Sequence, residues 1–191
     1  VANADPSINR LDVLIAEVNW QGDQPRVTRV AVHFASLASK PYAAVLRINA
    51  IDPTQIAPAT IAALTARELH RLPIPAAELQ LDFDCPESKL AAYADWLAAA
   101  QAACRPTTVT VTALPAWLKR SDFSLLAQRC NYVLQVHSLH RPATIDGNWS
   151  LLDPAEARRA VETAGRLGYP FRVALPTYGC VAVFDPAGRF P

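Results

Sequence analysis

The 191-residue sequence has no methionine and only six glycines. Because no initiating methionine is present, we expect a fragment or processed part of a longer protein. No apolar run approaches the roughly 20 residues that a bilayer-spanning helix needs, so no transmembrane segment is predicted. Residues 1–6 lack the basic and apolar regions of an export signal, but a removed signal would leave no trace here.

The sequence also lacks an excess of either charge and lacks clustered cysteines. Eighteen lysines and arginines against 17 acidic residues give a formal net charge of +1, so nucleic acid is not an expected partner. Four separated cysteines without a C-x-x-C motif exclude a typical cysteine zinc site. The redox state of these cysteines stays open, because they could form disulfides or could be small buried hydrophobic residues. The four are Cys85, Cys104, Cys130 and Cys180.

Predicted strands and helices alternate along the chain, and several of the strands carry one polar face. Strands of a doubly wound sheet are covered by helices on both sides and are nearly all apolar, so the polar faces favour a TIM-type (β/α) barrel. At about 31 residues per βα unit, this length holds only about six units. We therefore predict an α/β fold in which residues 1–191 form a single, incomplete barrel-like domain.

The segment Leu79–Pro86 reads LQLDFDCP and is the most informative predicted strand. Alternate side chains of a strand share a face, so Gln80, Asp82 and Asp84 are expected on one side and the apolar residues on the other. Pro86 suits the first turn of a following helix. Asp84 is therefore predicted at the carboxyl end of a strand, where barrels and doubly wound sheets bind ligands.

Other predicted strands carry polar residues of the same parity near their carboxyl ends, and these should meet Asp82 and Asp84 at one mouth. Carboxylates and a histidine are the components of acid/base catalysis. Alternatively, Arg47 or His137 could neutralise the acidic pair and form a purely structural network. The predicted additional residues are Glu17, Asn19, Arg47, Asn49, Thr110, Thr112, Gln135 and His137, with Tyr178 after the last strand.

Two further interpretations involve the loops. Trp117, Trp149 and Tyr178 could form a stacking platform for sugar rings, or could simply pack their own loops. His137 and His140 with the two aspartates could bind a divalent metal, but their spacing fits neither a strand face nor one turn of a helix. The leading prediction therefore includes no metal and no cofactor, and metal binding stays an alternative.

Four segments of the sequence carry a family resemblance: LQLDFDCPESKLAAY (79–93), VTALPAWL (111–118), LQVH (134–137) and LPTYG (175–179). Together they resemble an uncharacterised bacterial family, domain of unknown function 3142. The resemblance covers residues from about 11 to 190 and implies an exported or envelope protein with a barrel related to glycoside hydrolases. The D-F-D strand is also similar to the D-x-D-x-E motif of chitinase-like barrels, but Pro86 occupies the position of the catalytic glutamate, so that mechanism is not transferred.

The sequence thus predicts a glycoside-hydrolase-like barrel that acts on a polysaccharide, with Asp84 as the acid and Asp82 or Glu17 as the partner carboxylate. Arg47, Asn49, Thr112, Trp117, Gln135, His137 and Tyr178 would bind the sugar. The alternatives are a non-catalytic envelope barrel that binds glycan or protein, and a metal-dependent hydrolase. The oligomeric state is left open.

Overall fold

The computed structural model describes residues 6–37, 40–137, 144–146, 150–178 and 181–189. Within these residues the chain forms seven strands and four α-helices, joined by loops and short 3₁₀ turns. The strands are β1 Leu11–Gln21, β2 Gln24–Arg29, β3 Tyr42–Ile48, β4 Glu78–Phe83, β5 Thr108–Ala113, β6 Tyr132–Gln135 and β7 Phe171–Ala174; the helices are α1 Pro58–His70, α2 Leu90–Ala103, α3 Phe123–Ala127 and α4 Pro154–Leu167.

All seven strands belong to one sheet of order β2-β1-β3-β4-β5-β6-β7. Only β2 is antiparallel to its neighbour, and from β1 to β7 every pairing is parallel and follows chain order. Because parallel crossovers are right-handed, crossovers that always advance in one direction place their helices on one side of the sheet. The α/β class is confirmed, and the described sheet is open, with β2 and β7 at its edges.

The apolar face of β4 packs beneath α2. Phe83 contacts Tyr93 and Trp96, with ring centroids 5.2 Å apart in both pairs. The indole N–H of Trp96 donates to the carbonyl of Ile56, which ties this layer to the connection before α1. The helices therefore cover the face of Phe83, and the face of Asp82 is the opposite one, called the inner face below.

Local signals explain where α4 begins and ends. The sequence Asp153-Pro154-Ala155-Glu156 predicts a helix cap followed by a first-turn proline. In the structure the side chain of Asp153 accepts hydrogen bonds from the backbone N–H groups of Ala155 and Glu156, and Pro154 occupies the first turn. The helix ends at Gly168, whose φ of 75° lies in the left-handed region that glycine adopts without strain.

None of the described helices is long and apolar enough to cross a membrane.

Strand periodicity in the sequence predicts unbroken alternation from Leu11 to Trp20, a short extra strand around Val30 and a further short strand from Val181 to Phe184. The structure differs from all three predictions. A register shift between Leu14 and Ala16 interrupts the alternation of β1. Even-numbered residues such as Leu14 face inward before the shift, and odd-numbered residues such as Glu17 face inward after it. The extra strand expected around Val30 lies earlier, at β2. The segment from Val181 to Phe184 forms no strand, because it makes no ladder with β7.

An ion-pair network on the inner face shows that the sheet is curved. Glu78 on β4 accepts hydrogen bonds from Arg10, which precedes β1, and from Arg172 on β7. In a flat sheet β7 would lie about 14 Å from β4, and side chains standing perpendicular to the sheet would not meet. The inner face is therefore concave, and Glu78 lies at the amino-terminal end of this concavity.

Candidate functional site

The strand register aligns three charged residues of the inner face in one row. Glu17 on β1 pairs with Arg47 on β3, and Arg47 pairs with Asp82 on β4. All three strands are parallel, so the row lies at their common carboxyl end, where α/β enzymes bind their ligands. Asp84 follows one step beyond Asp82, directly after β4.

Arg47 holds both aspartates. Its Nη1 donates to Oδ2 of Asp82 at 3.0 Å, and its Nη2 lies 3.7 Å from Oδ2 of Asp84. The side chain of Asp82 is 17% exposed and that of Asp84 is 59% exposed. Asp82 is therefore the anchored member of the pair, and Asp84 is the one that solvent or a ligand reaches most easily.

Glu17 lies on the other side of Arg47 from the aspartates, and Asn49 directly follows the strand that carries Arg47. Glu17 is half-buried, and no hydrogen bond or ion pair holds its carboxylate within the described part of the chain. One step further along the strands, the amide of Asn49 donates to Oδ1 of Asn19 at 2.9 Å. The structure thus brings together the predicted residues of the first three parallel strands.

The next strands add neutral polar groups to the inner face. Gln80 donates to the hydroxyl of Thr112 at 2.9 Å, and both side chains are buried. Gln135, at the end of β6, donates a longer bond of 3.4 Å to the carbonyl of His137. Thr112 therefore holds Gln80 in place, whereas Gln135 is half-buried and lines a cavity at the strand end.

His137 and Tyr178 form a pair at the same carboxyl end. The Tyr178 hydroxyl lies 3.2 Å from Nδ1 of His137, and the two rings meet edge to face. Partial burial lowers the pKa of His137, while the negative charge of Asp82 acts in the opposite direction. His137 is therefore within electrostatic reach of Asp82, and Tyr178, 55% exposed, offers a polar and aromatic surface at the rim.

Trp117 lies away from this face. It is fully buried, its indole N–H donates to the carbonyl of Cys85 at 3.1 Å, and its ring packs against Tyr93 and Phe123. Its position gives it a packing role in the layer beneath the helices. The other tryptophan of the predicted platform, Trp149, lies outside the described residues.

The described cysteines do not supply a nucleophile. Cys85, Cys104 and Cys130 are free thiols. Burial, and to a smaller extent the charge of Asp52, raises the pKa of Cys85 to about 12, and burial raises the pKa of Cys130 to about 12 as well. Thiolates are the reactive form, so these groups are inert near neutral pH. Cys180 lies outside the described residues.

Among the described residues, no three histidine, cysteine, aspartate or glutamate side chains are arranged to hold a metal ion. The metal site considered from the sequence also needs His140, which lies outside the described residues. Asp82 and Asp84 instead have Arg47 as their neighbour.

Glu78 is an inner-face group that the sequence interpretation missed. It is 6% exposed, accepts from Thr110 at 2.6 Å, and also binds Arg10 and Arg172. Burial alone would raise the pKa of Glu78, but hydrogen bonds from the two arginines and from Thr110 outweigh it and lower the pKa to about 2. The sequence did contain a signal for this position, because Glu78 lies four residues before Asp82 and strand alternation therefore places both side chains on the same face of β4.

A family model described as "Domain of unknown function (DUF3142)" matches residues 38–191. The match covers most of the chain, so the protein belongs to this family. The matched region begins before β3 and contains Arg47, Asp82 and Asp84, whereas Glu17 precedes it. A comparison with curated proteins finds no match. The family description carries no activity, and the following proposals therefore depend on the geometry.

Proposed function

We propose that the open sheet is six parallel strands of a TIM-type (β/α) barrel that is incomplete in this chain. Sequential strand order and crossovers of one hand are the arrangement of such barrels. The contact of Arg10 and Arg172 with Glu78 supports this assignment, because it requires a concave inner face. A barrel of this kind would use its carboxyl end, where Asp82 and Asp84 lie, as the active face.

On this fold we propose a glycoside-hydrolase-like function that acts on a polysaccharide. The observation that carries the proposal is the row Glu17, Arg47 and Asp82, with Asp84 one step beyond it, on a face that the helices do not cover. Adjacent strands lie about 4.8 Å apart, so the Cα atoms of Glu17 and Asp82 are separated by about 10 Å across Arg47. Carboxylates on either side of a shared space are what glycoside hydrolysis requires.

In the proposed reaction Asp84 is the acid, because it is the carboxyl group of the cluster that a substrate reaches most easily. Protonated Asp84 gives its proton to the leaving glycosidic oxygen as the bond to the anomeric carbon breaks. The partner carboxylate, Glu17 or Asp82, accepts a proton from the water whose oxygen attacks that carbon. Arg47 would release Asp84 and hydrogen-bond sugar hydroxyls during this step.

Glycan binding without catalysis is the second candidate, and the ion pairs of Arg47 favour it. Asp82 accepts a hydrogen bond from Arg47 and Asp84 lies 3.7 Å from it, and both side chains could accept hydrogen bonds from sugar hydroxyls in the same way. Gln135, His137 and Tyr178 would supply further contacts on the same side. Export to the cell envelope, where such a glycan would be met, stays a prediction of the sequence resemblance.

The deciding experiment compares wild type with the double variant Asp82→Asn and Asp84→Asn on a panel of bacterial polysaccharides. Released reducing ends measure turnover, and calorimetry measures binding. Asp95→Asn is a matched control, because Asp95 is an exposed residue on α2, on the opposite side of the sheet. If the protein is a hydrolase that uses these carboxylates, the double variant loses turnover, whereas wild type and Asp95→Asn keep it. Hydrolysis that survives in the double variant contradicts the catalytic assignment, and binding without turnover in wild type supports the second candidate.

A further inference from the structure

A groove of about 680 Å³ lies where α4 packs against the 3₁₀ turn Pro115–Lys119 that follows β5. Its size is within the range of small-molecule sites. Its lining carries four basic and three acidic side chains, and none of them belongs to the carboxylate cluster on the inner face. The four basic side chains are Lys119, Arg120, Arg159 and Arg166.

Three of these four cations have no carboxylate partner among the described residues. Lys119 and Arg120 are exposed and make no ion pair there, and Arg166 donates to the neutral hydroxyl of Thr163 at 3.2 Å. Arg159 is the exception, because its Nη2 lies 4.0 Å from Oε1 of Glu156. An anion that enters the groove can therefore bind to cations without displacing another carboxylate.

The geometry of α4 separates its basic residues from the acidic Glu162. Thr163 is half-buried and forms part of the groove floor. Successive helical residues are about 100° apart around the axis, so Arg159 and Arg166 lie only about 40° and 60° from Thr163. Glu162 lies about 100° from Thr163 in the same direction and is exposed. The two arginines therefore border the groove more closely than Glu162 does.

The unpaired cations gather at one end of the groove. The other end adjoins the cavity at the end of β6, with which it shares Glu156 and Ala160. Lys119 and Arg120 on one wall and Arg166 on the other line the groove but not that cavity. Arg166 lies about 15 Å along α4 from Glu156. Three cations therefore meet at the end that is distant from the pair of Glu156 and Arg159.

The acidic side chains restrict the kind of anion that fits. With Glu156 facing Arg159, the three unpaired cations against Glu87 and Glu162 leave one net positive charge in the groove. A ligand with several negative charges would be repelled by these two carboxylates. A ligand with one carboxylate among hydroxyl groups suits the lining, because the hydroxyls can donate hydrogen bonds to Glu87. That combination is the chemistry of an acidic sugar.

We propose that this groove binds an acidic sugar, whose carboxylate is held by Lys119, Arg120 and Arg166 and whose hydroxyls face Glu87. Arginine suits this role because its planar guanidinium can donate two parallel hydrogen bonds to one carboxylate. The inference goes beyond the proposed function, because the site needs no glycan at the carboxylate cluster. The ligand is either a free acidic sugar or one ring of an acidic polysaccharide, and the test separates the two.

The test removes one cation from each wall, in the double variant Lys119→Gln and Arg166→Gln. The control is Arg71→Gln with Arg158→Gln, which removes the same charge from exposed positions outside the groove. Calorimetry measures binding of galacturonic acid, its oligomers of two to four rings, and the methyl esters of these compounds, which keep every ring but lose the charge. Thermal unfolding checks that each variant folds, and Arg120→Gln with Arg166→Gln replaces the first pair if that pair does not.

We expect the groove variant to bind the charged sugars about tenfold more weakly than wild type and the control do, which corresponds to about 1.4 kcal/mol. The methyl esters should bind all three proteins alike. Affinity that rises with length would support a polysaccharide as the ligand, and equal affinity of monomer and oligomers would support a free sugar.

Three results would overturn the site: no binding of any charged form by wild type, an equal loss in the control, or an equal loss for the methyl esters. The double variant Asp82→Asn and Asp84→Asn should keep this binding, and its loss there would also overturn the groove as the site. Because that variant tests the proposed function separately, failure of the groove and failure of the proposed function are distinguishable.

Discussion

Replacing Glu78 by glutamine should remove most of the stabilisation that the inner-face network provides. The pKa of Glu78 falls from an ordinary 4.5 to about 2, and its side chain is only 8% exposed. That difference corresponds to about 3 kcal/mol of folding free energy. Because the pKa is lowered in the folded state, the stabilisation is complete above pH 4.5 and is lost as the pH falls towards 2.

We therefore expect Glu78→Gln to be about 3 kcal/mol less stable than wild type at pH 7. The difference should shrink below pH 4.5 and approach zero near pH 2. Urea unfolding at intervals from pH 7 to pH 3 measures it, with Glu162→Gln as a control, since Glu162 is exposed on α4. A stability difference between Glu78→Gln and wild type that does not change with pH would refute the role of the network.

Three other predictions concern the carboxyl end of the sheet and the layer beneath the helices. Asp82→Asn should lower the pKa of His137 further, because the charge that opposes the effect of burial is removed; histidine ring-proton NMR measures this, and an unchanged pKa would contradict the proximity of the two groups. Cys85 of the folded protein should resist alkylation at pH 8, because its pKa is about 12, and should react only after unfolding. Mass spectrometry of the labelled peptides measures this, and fast labelling of Cys85 in the folded protein would contradict the prediction. Trp117→Phe should cost about 1 to 2 kcal/mol through the lost hydrogen bond to the buried carbonyl of Cys85, and an unchanged urea midpoint would show that this bond does not contribute.

The sequence predicted the elements whose signals are local. The alternation of Gln80, Asp82 and Asp84 indicated which side chains of β4 share a face. The cap of α4 at Asp153 depends only on adjacent residues. The same parity rule, applied to the neighbouring strands, anticipated that Arg47 could neutralise the aspartates. Such features are predictable because strand alternation and helix capping depend on few residues and little on the remainder of the chain.

Features that depend on distant contacts could not be predicted in the same way. The register shift near Leu14 arises from the pairing of β1 with β3, which single-strand periodicity does not contain. The network of Glu78 joins residues 68 and 94 positions apart in the sequence. Trp117 looked like a loop aromatic, but the 3₁₀ turn after β5 carries it into the core.

The most direct test of the central claim is carboxyl-detected NMR of Glu17, Asp82 and Asp84 during titration with oligosaccharides. If this cluster handles a polysaccharide, the signals of Asp82 and Asp84 should shift in a saturable way as Arg47 exchanges its contacts, and the exposed Asp95 should not respond. Carboxyl signals that stay unchanged while calorimetry reports binding would place the glycan elsewhere on the protein. That result would contradict the account.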